Sequence, residues 1–358
     1  MKNQLAPLAA ALSLSAAVPA LAGDNLYTLS NDAAQNEVYV YRAKDDGTLV
    51  EAGRYATGGA GTGAGLGNQG ALSFNGSHRY LFAVNPGSND VSVFRVNGRR
   101  LEWVDRAQAQ GMRPVSVAVD HNLVYVVNSG DDSIFGFRFD PAMGKLMPMA
   151  DSHMKLSGDG TGPAQISFGN DGAALVVTEK ASNRITTFTL GEDGMPVSRH
   201  TLDSAGRTPF GFAFGKHDRF FVSEAQGGAA NAATVSSYQL EEDGMAMLID
   251  GAVAAGQTAA CWLATTPNGR MAYTADTPAD AISSFAIDKR GHVSLLQSKA
   301  GAASRPTDLA VSSDGRLLYS LNGGDHTISS YRIARRGGLA QGSSLDSIPP
   351  HATGLIVE

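Results

Sequence analysis

One structural unit recurs along this chain and limits what it can fold into. An apolar strand is followed by a short turn, often of Asp-Gly type, and by a second strand that ends in a polar residue. A Gly/Asn/Asp turn, a third strand rich in Val, Ile, Ser and aromatics, and a weaker fourth strand complete the unit. Clear copies are LFAVNPGSNDVSVFRV from Leu81, VYVVNSGDDSIFGFRF from Val124 and LYSLNGGDHTISSYRI from Leu318. Equivalent anchors are Tyr27, Phe82, Tyr125, Val176, Phe221, Tyr273 and Tyr319, spaced 43 to 55 residues apart. That spacing holds four short strands with their turns, the size of a propeller blade. A β-sandwich has no constant long repeat, and a β-helix has shorter coils. The expected fold is all-β, a seven-bladed β-propeller.

Strand counting predicts how the ring closes. Six copies carry an inner strand before the second strand, and the first copy has none. An orphan strand, Thr353–Val357, follows Pro349-Pro350 at the other end, as other inner strands follow Pro114, Pro163, Pro209 and Pro306. It should complete the first blade from inside, because pairing the chain ends removes two open sheet edges.

The chain begins like an export signal. Lys2 precedes an apolar run from Leu5 to Val18, and Ala20-Leu21-Ala22 offers a small-x-small cleavage site. Residues 1–22 are expected to be a signal peptide and residues 23–358 a single propeller domain, periplasmic or secreted; an uncleaved anchor is the alternative. Apolar residues at 43% allow a large core, while 42 glycines suit a protein full of tight turns. A net charge of -6 gives no electrostatic case for nucleic acid or an anionic membrane. The single cysteine, Cys261, excludes an intrachain disulfide and reads as a small buried hydrophobe.

Function in a repeat protein is sought where the copies differ. Three residues after each anchor stand Ser30, Asn85, Asn128, Glu179, Glu224, Asp276 and Asn322. Asn and Asp there fit a turn role. Glu forms turns poorly, so Glu179 and Glu224 are candidate catalytic carboxylates, with Asp276 and Lys180 as candidate substrate-binding residues beside them. Arg113, Arg207 and Arg305 each precede an inner strand and should surround the channel mouth. They could clamp a carboxylate or phosphate, or pair with a neighbouring blade's acid. The eight histidines are scattered without HxH or HExxH spacing, so no metal is expected. No cofactor is expected either. The glycine-rich run at residues 58–70 reads as a flexible connection between blades, placed to cover a channel mouth.

Three segments carry a family resemblance: GPAQISFGNDGAALVVTEKASNRITTF at residues 162–188, AACWLATTPNGRMAYTADT at 259–277 and RPTDLAVSSDGRLLYSLNGGDHTISSYRI at 305–333. They resemble the lactonase-type propellers, which include bacterial 6-phosphogluconolactonases and fungal carboxymuconate lactonizing enzymes. The N-x-G-x-D/N turns also resemble YVTN-type propellers. The resemblance implies metal-free lactone opening or closure by a His, a Glu and arginines at the channel mouth. Glu179 matches the family Glu. The family's Gly-x-Gly-Pro-Arg-His reads Gly160-Thr161-Gly162-Pro163-Ala164-Gln165 here, so its Arg and His are replaced. Asp308 matches a Pro-Arg-Asp segment, with Thr307 in place of the Arg.

Two functional expectations follow. One is an exported lactonase-like enzyme acting on a carboxylated or sugar-derived lactone, with Glu179 or Glu224 as base and Arg113, Arg207 and Arg305 holding a small anionic metabolite. The other is a non-catalytic propeller that binds a small ligand or protein partner on one face. A redox propeller is a third option, but there is no C-x-x-C-H.

Overall fold

The computed structural model describes residues 23–44, 48–98, 100–346 and 348–358. The expected signal peptide lies outside the described residues. Seven antiparallel sheets make up the structure. The first contains Asn25–Leu29, Glu37–Ala43 and Leu49–Ala56, with Thr353–Val357 added inside. The other six are consecutive meanders, as in Pro163–Gly169, Ala174–Glu179, Arg184–Leu190 and Pro196–Asp203 of the fourth blade. The third blade gains a short extra strand, Met154–Lys155. The fold is therefore the expected seven-bladed propeller, closed by its last strand.

Closure follows the expected register. Leu26 lies opposite Val357 and Leu29 opposite Thr353. Asn25 and Glu358 exchange two backbone bonds of 2.9 Å, and the Tyr27 hydroxyl donates to the Glu358 carboxylate at 3.0 Å.

Burial explains why the second strands read as apolar runs. Tyr80–Asn85 and Ala174–Glu179 are buried at every position. Neighbouring sheets pack face to face on these strands. Tyr125, Val127 and Ile134 of the third blade meet Ile166, Leu175, Val177 and Phe188 of the fourth in one continuous cluster. Truncating such an aromatic to Ala costs roughly 3–5 kcal/mol. Fourth strands are largely exposed, which explains their weak pattern.

Strand pairing also fixes which groups share an end of the ring. Each inner strand starts beside the end of its second strand, with Pro163 opposite Glu179, Pro209 opposite Glu224, Ala260 opposite Asp276 and Pro306 opposite Asn322. All of these lie at one end, called the upper end below.

Candidate functional site

The polar residue that ends each second strand is a buried peg. Asn322 donates to Thr327 Oγ1 and Ser329 Oγ of its own third strand, both at 2.9 Å. Asn85 donates to Asp90 at 2.7 Å and Ser92 at 2.8 Å. Asp276 accepts from Ser283 at 2.5 Å and Thr274 at 3.0 Å. Burial pushes its carboxyl up to about 7.

Glu179 and Glu224 occupy the same slot and reach further. Glu179 accepts from Thr186 Oγ1 at 2.6 Å, Ser182 Oγ at 2.7 Å, the Ser157 amide at 3.1 Å and the Ser157 hydroxyl. Glu224 accepts from Thr234 at 2.5 Å, Ser236 at 2.6 Å, Gly206 N–H at 2.8 Å and Ser204 at 3.1 Å. Both side chains are fully buried. The extra methylene carries each carboxylate past its own hairpin to the linker from the preceding blade. Neither is open to solvent, and each already receives four hydrogen bonds. What they fasten is the approach to the channel: Ser182 is two residues past Lys180, and Gly206 immediately precedes Arg207.

A second repeated bond sets the arginines. The residue before an inner strand is left-handed at Arg113, Gly162, Thr208, Ala259 and Arg305, and Gly70 is left-handed two residues before Leu72. At three of them a side chain from the previous blade receives the N–H. Asn89 accepts from Arg113 at 2.7 Å, Asn183 from Thr208 at 2.7 Å, and Asp280 from Arg305 at 2.8 Å. Arg113 and Arg305 thus hold a conformation that glycine supplies in other copies, at a strain of roughly 1–2 kcal/mol each. The three arginines are exposed at the upper end, and their guanidinium groups make no ion pair with a described residue.

The glycine-rich run closes the channel between them. Asn68 donates to Val115 O, and its Oδ1 accepts from Thr353 Oγ1 at 2.9 Å. Trp262 Nε1 donates to Asn68 O at 2.7 Å. The Gln69 amide pairs with both backbone groups of Leu263, at 2.8 and 3.1 Å, and Gln69 N–H donates to Ala164 O at 3.1 Å. Residues 66–70 are therefore a plug anchored to blades one, three, four and six. The expected flexible connection is instead tied across the ring. Blade five admits it because Gly211 has no β-carbon; one there would collide with the Gln69 amide oxygen.

Lys180 rests on this plug. Its Nζ donates to Gly67 O and lies 4.9 Å from the centroid of the Phe210 ring, which packs on Trp262. Its side chain is half-buried and forms no ion pair with a described residue. Burial pulls its ammonium down to about 8, and the charge of Arg113 adds to the effect. Cys261 lies close by, and burial pushes its thiol up to about 12. Of the residues singled out by sequence, Lys180 and Arg113 are thus brought within electrostatic reach of each other. Gln165, at the position of the family His, donates and accepts with the Phe212 backbone at 2.9 and 2.8 Å. It ties blade four to blade five.

Below the plug the channel opens into a cavity of about 360 Å³ lined by Gln69, Gln165, Asp308, Ser73, Ser167 and Asp120, among apolar side chains. Asp308 accepts from Leu309 N–H at 2.8 Å and Leu355 N–H at 2.9 Å. Burial pushes its carboxyl up to about 8. Among the described residues no group of three or more His, Cys, Asp or Glu is placed to hold a metal ion.

The family model described as "Lactonase, 7-bladed beta-propeller" matches residues 21–158 and 227–351. The unmatched stretch between them contains Glu179, Lys180, Arg207 and Glu224. A periplasmic gluconolactonase from Pseudomonas aeruginosa superposes with a TM-score of 0.75 at 16% identity, covering 94% of this chain and 99% of that one. A protein from Lactobacillus plantarum gives 0.74 at 17% identity, with coverage of 94% and 99%. Kuenenia stuttgartiensis hydrazine synthase gives 0.61 at 14% identity, covering 86% and 95%, so the fold by itself does not select a chemistry. No curated protein matches the sequence.

Proposed function

The chain belongs to the lactonase family of seven-bladed β-propellers, and from that premise we propose that it is an exported protein that opens or closes a carboxylated or sugar-derived lactone at its plugged upper mouth. The observation that carries this reading is the set of cations there: Lys180 and Arg113 near each other, Arg207 and Arg305 on the same end, none neutralised by a described acid. Arginines supply paired donors for a carboxylate or phosphate on the substrate. The Lys180 ammonium donates to the oxygen that gains charge as water adds to the lactone carbonyl. The ring C–O bond then breaks, and the alkoxide takes the proton released by the water. The product is a hydroxy acid, and ring closure is the same path reversed.

In this reading Glu179 and Glu224 are positioning residues rather than bases. Glu179 holds the turn that carries Lys180, and Glu224 holds the segment that carries Arg207. The test is hydrolysis of a panel of aldono- and carboxy-lactones by the protein and by Lys180→Met. A rate above the spontaneous one that falls in the variant supports the reading; wild-type rates equal to buffer overturn it.

A second reading, a binder without turnover, is favoured by the buried, fully bonded carboxylates. Calorimetry showing tight hydroxy-acid binding alongside spontaneous lactone decay selects it. Export is tested by fractionation and by sequencing the mature N-terminus, expected at Gly23.

A further inference from the structure

We infer that the Lys180 amine is an acylation site, at which a lactone drawn to the mouth is captured whole as a hydroxyacyl amide. The inference rests on the proposed reading for the lactone's presence and goes beyond it in what happens to the protein. Lys180 has a single hydrogen-bond acceptor, the Gly67 carbonyl, and no carboxylate that would hold it as an ammonium ion. The Phe210 face and the plug shield it from water on one side, while the partly exposed side chain leaves an approach from the mouth. Lysine becomes a nucleophile when it is desolvated or placed beside another cation, and here both apply.

The step balances without a further reactant. The neutral Nζ adds to the lactone carbonyl, the ring C–O bond breaks, and the departing alkoxide takes the proton that nitrogen loses. The full mass of the lactone stays on the protein as an amide with a free hydroxyl. A lysine amine in water is almost entirely protonated near neutrality. A group titrating near 8 carries on the order of a hundred times more free amine at the same pH, partly offset by weaker intrinsic nucleophilicity. Acylation about tenfold faster than at the surface lysines is expected.

The probe is δ-gluconolactone, followed by intact-mass measurement and peptide mapping at pH 6, 7.5 and 9. The expected result is one dominant adduct of whole-lactone mass on Lys180, stable to hydroxylamine, forming faster as pH rises to 9. It should be absent in Lys180→Arg of unchanged thermal stability. Label spread evenly over exposed lysines such as Lys145, Lys216 and Lys289, or no adduct on Lys180, overturns the inference. Turnover measured in the same samples separates the two claims. Hydrolysis without the Lys180 adduct sinks only the capture, and the adduct without hydrolysis sinks only the enzymatic reading.

Discussion

The two ends of the channel share one set of inner strands yet have opposite chemistry. The upper end is crossed by the plug and carries Arg113, Lys180, Arg207 and Arg305. The lower cavity is deep and contains two carboxyls, Asp120 and Asp308, and no cationic side chain. Both ends bury titratable groups, with opposite results. Lys180, resting on the plug, loses its proton more easily, while Asp308 keeps its proton to about 8. Ring symmetry supplies equivalent slots, and the occupant of each slot decides the charge.

The sharpest way to break this contrast is to remove a peg that holds the mouth. Glu224→Ala leaves the donors of Gly206, Ser204, Thr234 and Ser236 buried without their acceptor. A loss on the order of 3 kcal/mol is expected by urea unfolding. A change under about 0.5 kcal/mol would show that the peg does not support the mouth. Next in size is Lys180→Met. Loss of a donor to the developing oxyanion should lower kcat/KM roughly a hundredfold, while melting stays near wild type because the lysine forms no ion pair with a described residue. An unchanged rate would remove Lys180 from the chemistry and leave the arginines as the only charge contrast.

The buried carboxyls, Asp308 in the cavity and Asp276 at the upper end, are tested by pH. Asp308 and Asp276 keep protons in the folded state up to about 8 and about 7, while unfolded carboxyls lose theirs near 4. Between these values the folded protein binds more protons, so stability is complete below about 4 and is lost as pH rises through 7 to 8. Thermal melts should fall from pH 5 to pH 9, and Asp308→Asn should flatten the upper part of that fall. A midpoint that rises over the same range would contradict it. The smallest effect is expected for Arg113→Gly. Glycine suits the left-handed backbone there, so stability should stay within about 1 kcal/mol. Anion affinity at the mouth, measured by calorimetry with gluconate, should drop several-fold; equal affinity would exclude Arg113 from the site.

The ring, its closure by Thr353–Val357 and the shared end of Glu179 and Glu224 were legible in the sequence because each depends on a repeated pattern or on strand direction. The inward burial of those glutamates was not. Their partners, Ser157 and Ser204, lie in linkers that carry no repeat signal. The glycine-rich run looked mobile by composition. The sign of an anchored segment is Asn68-Gln69 in its middle, two amides that each satisfy a donor and an acceptor on an inner strand. Lys180 gained its role from neighbours more than 80 residues away in each of two directions, Gly67 and Cys261, which no local pattern could bring beside it.

The closing strand has a consequence for the making of the molecule. The first blade presents the bare edge of Asn25–Leu29 from the moment it is synthesised, and its partner, Thr353–Val357, is made only after the six other blades. The circle cannot be completed until all seven blades have been made. Until then that edge is open to strands of other chains, so a helper that covers it, or passage of the chain in unfolded form to another compartment, would protect the yield of native rings.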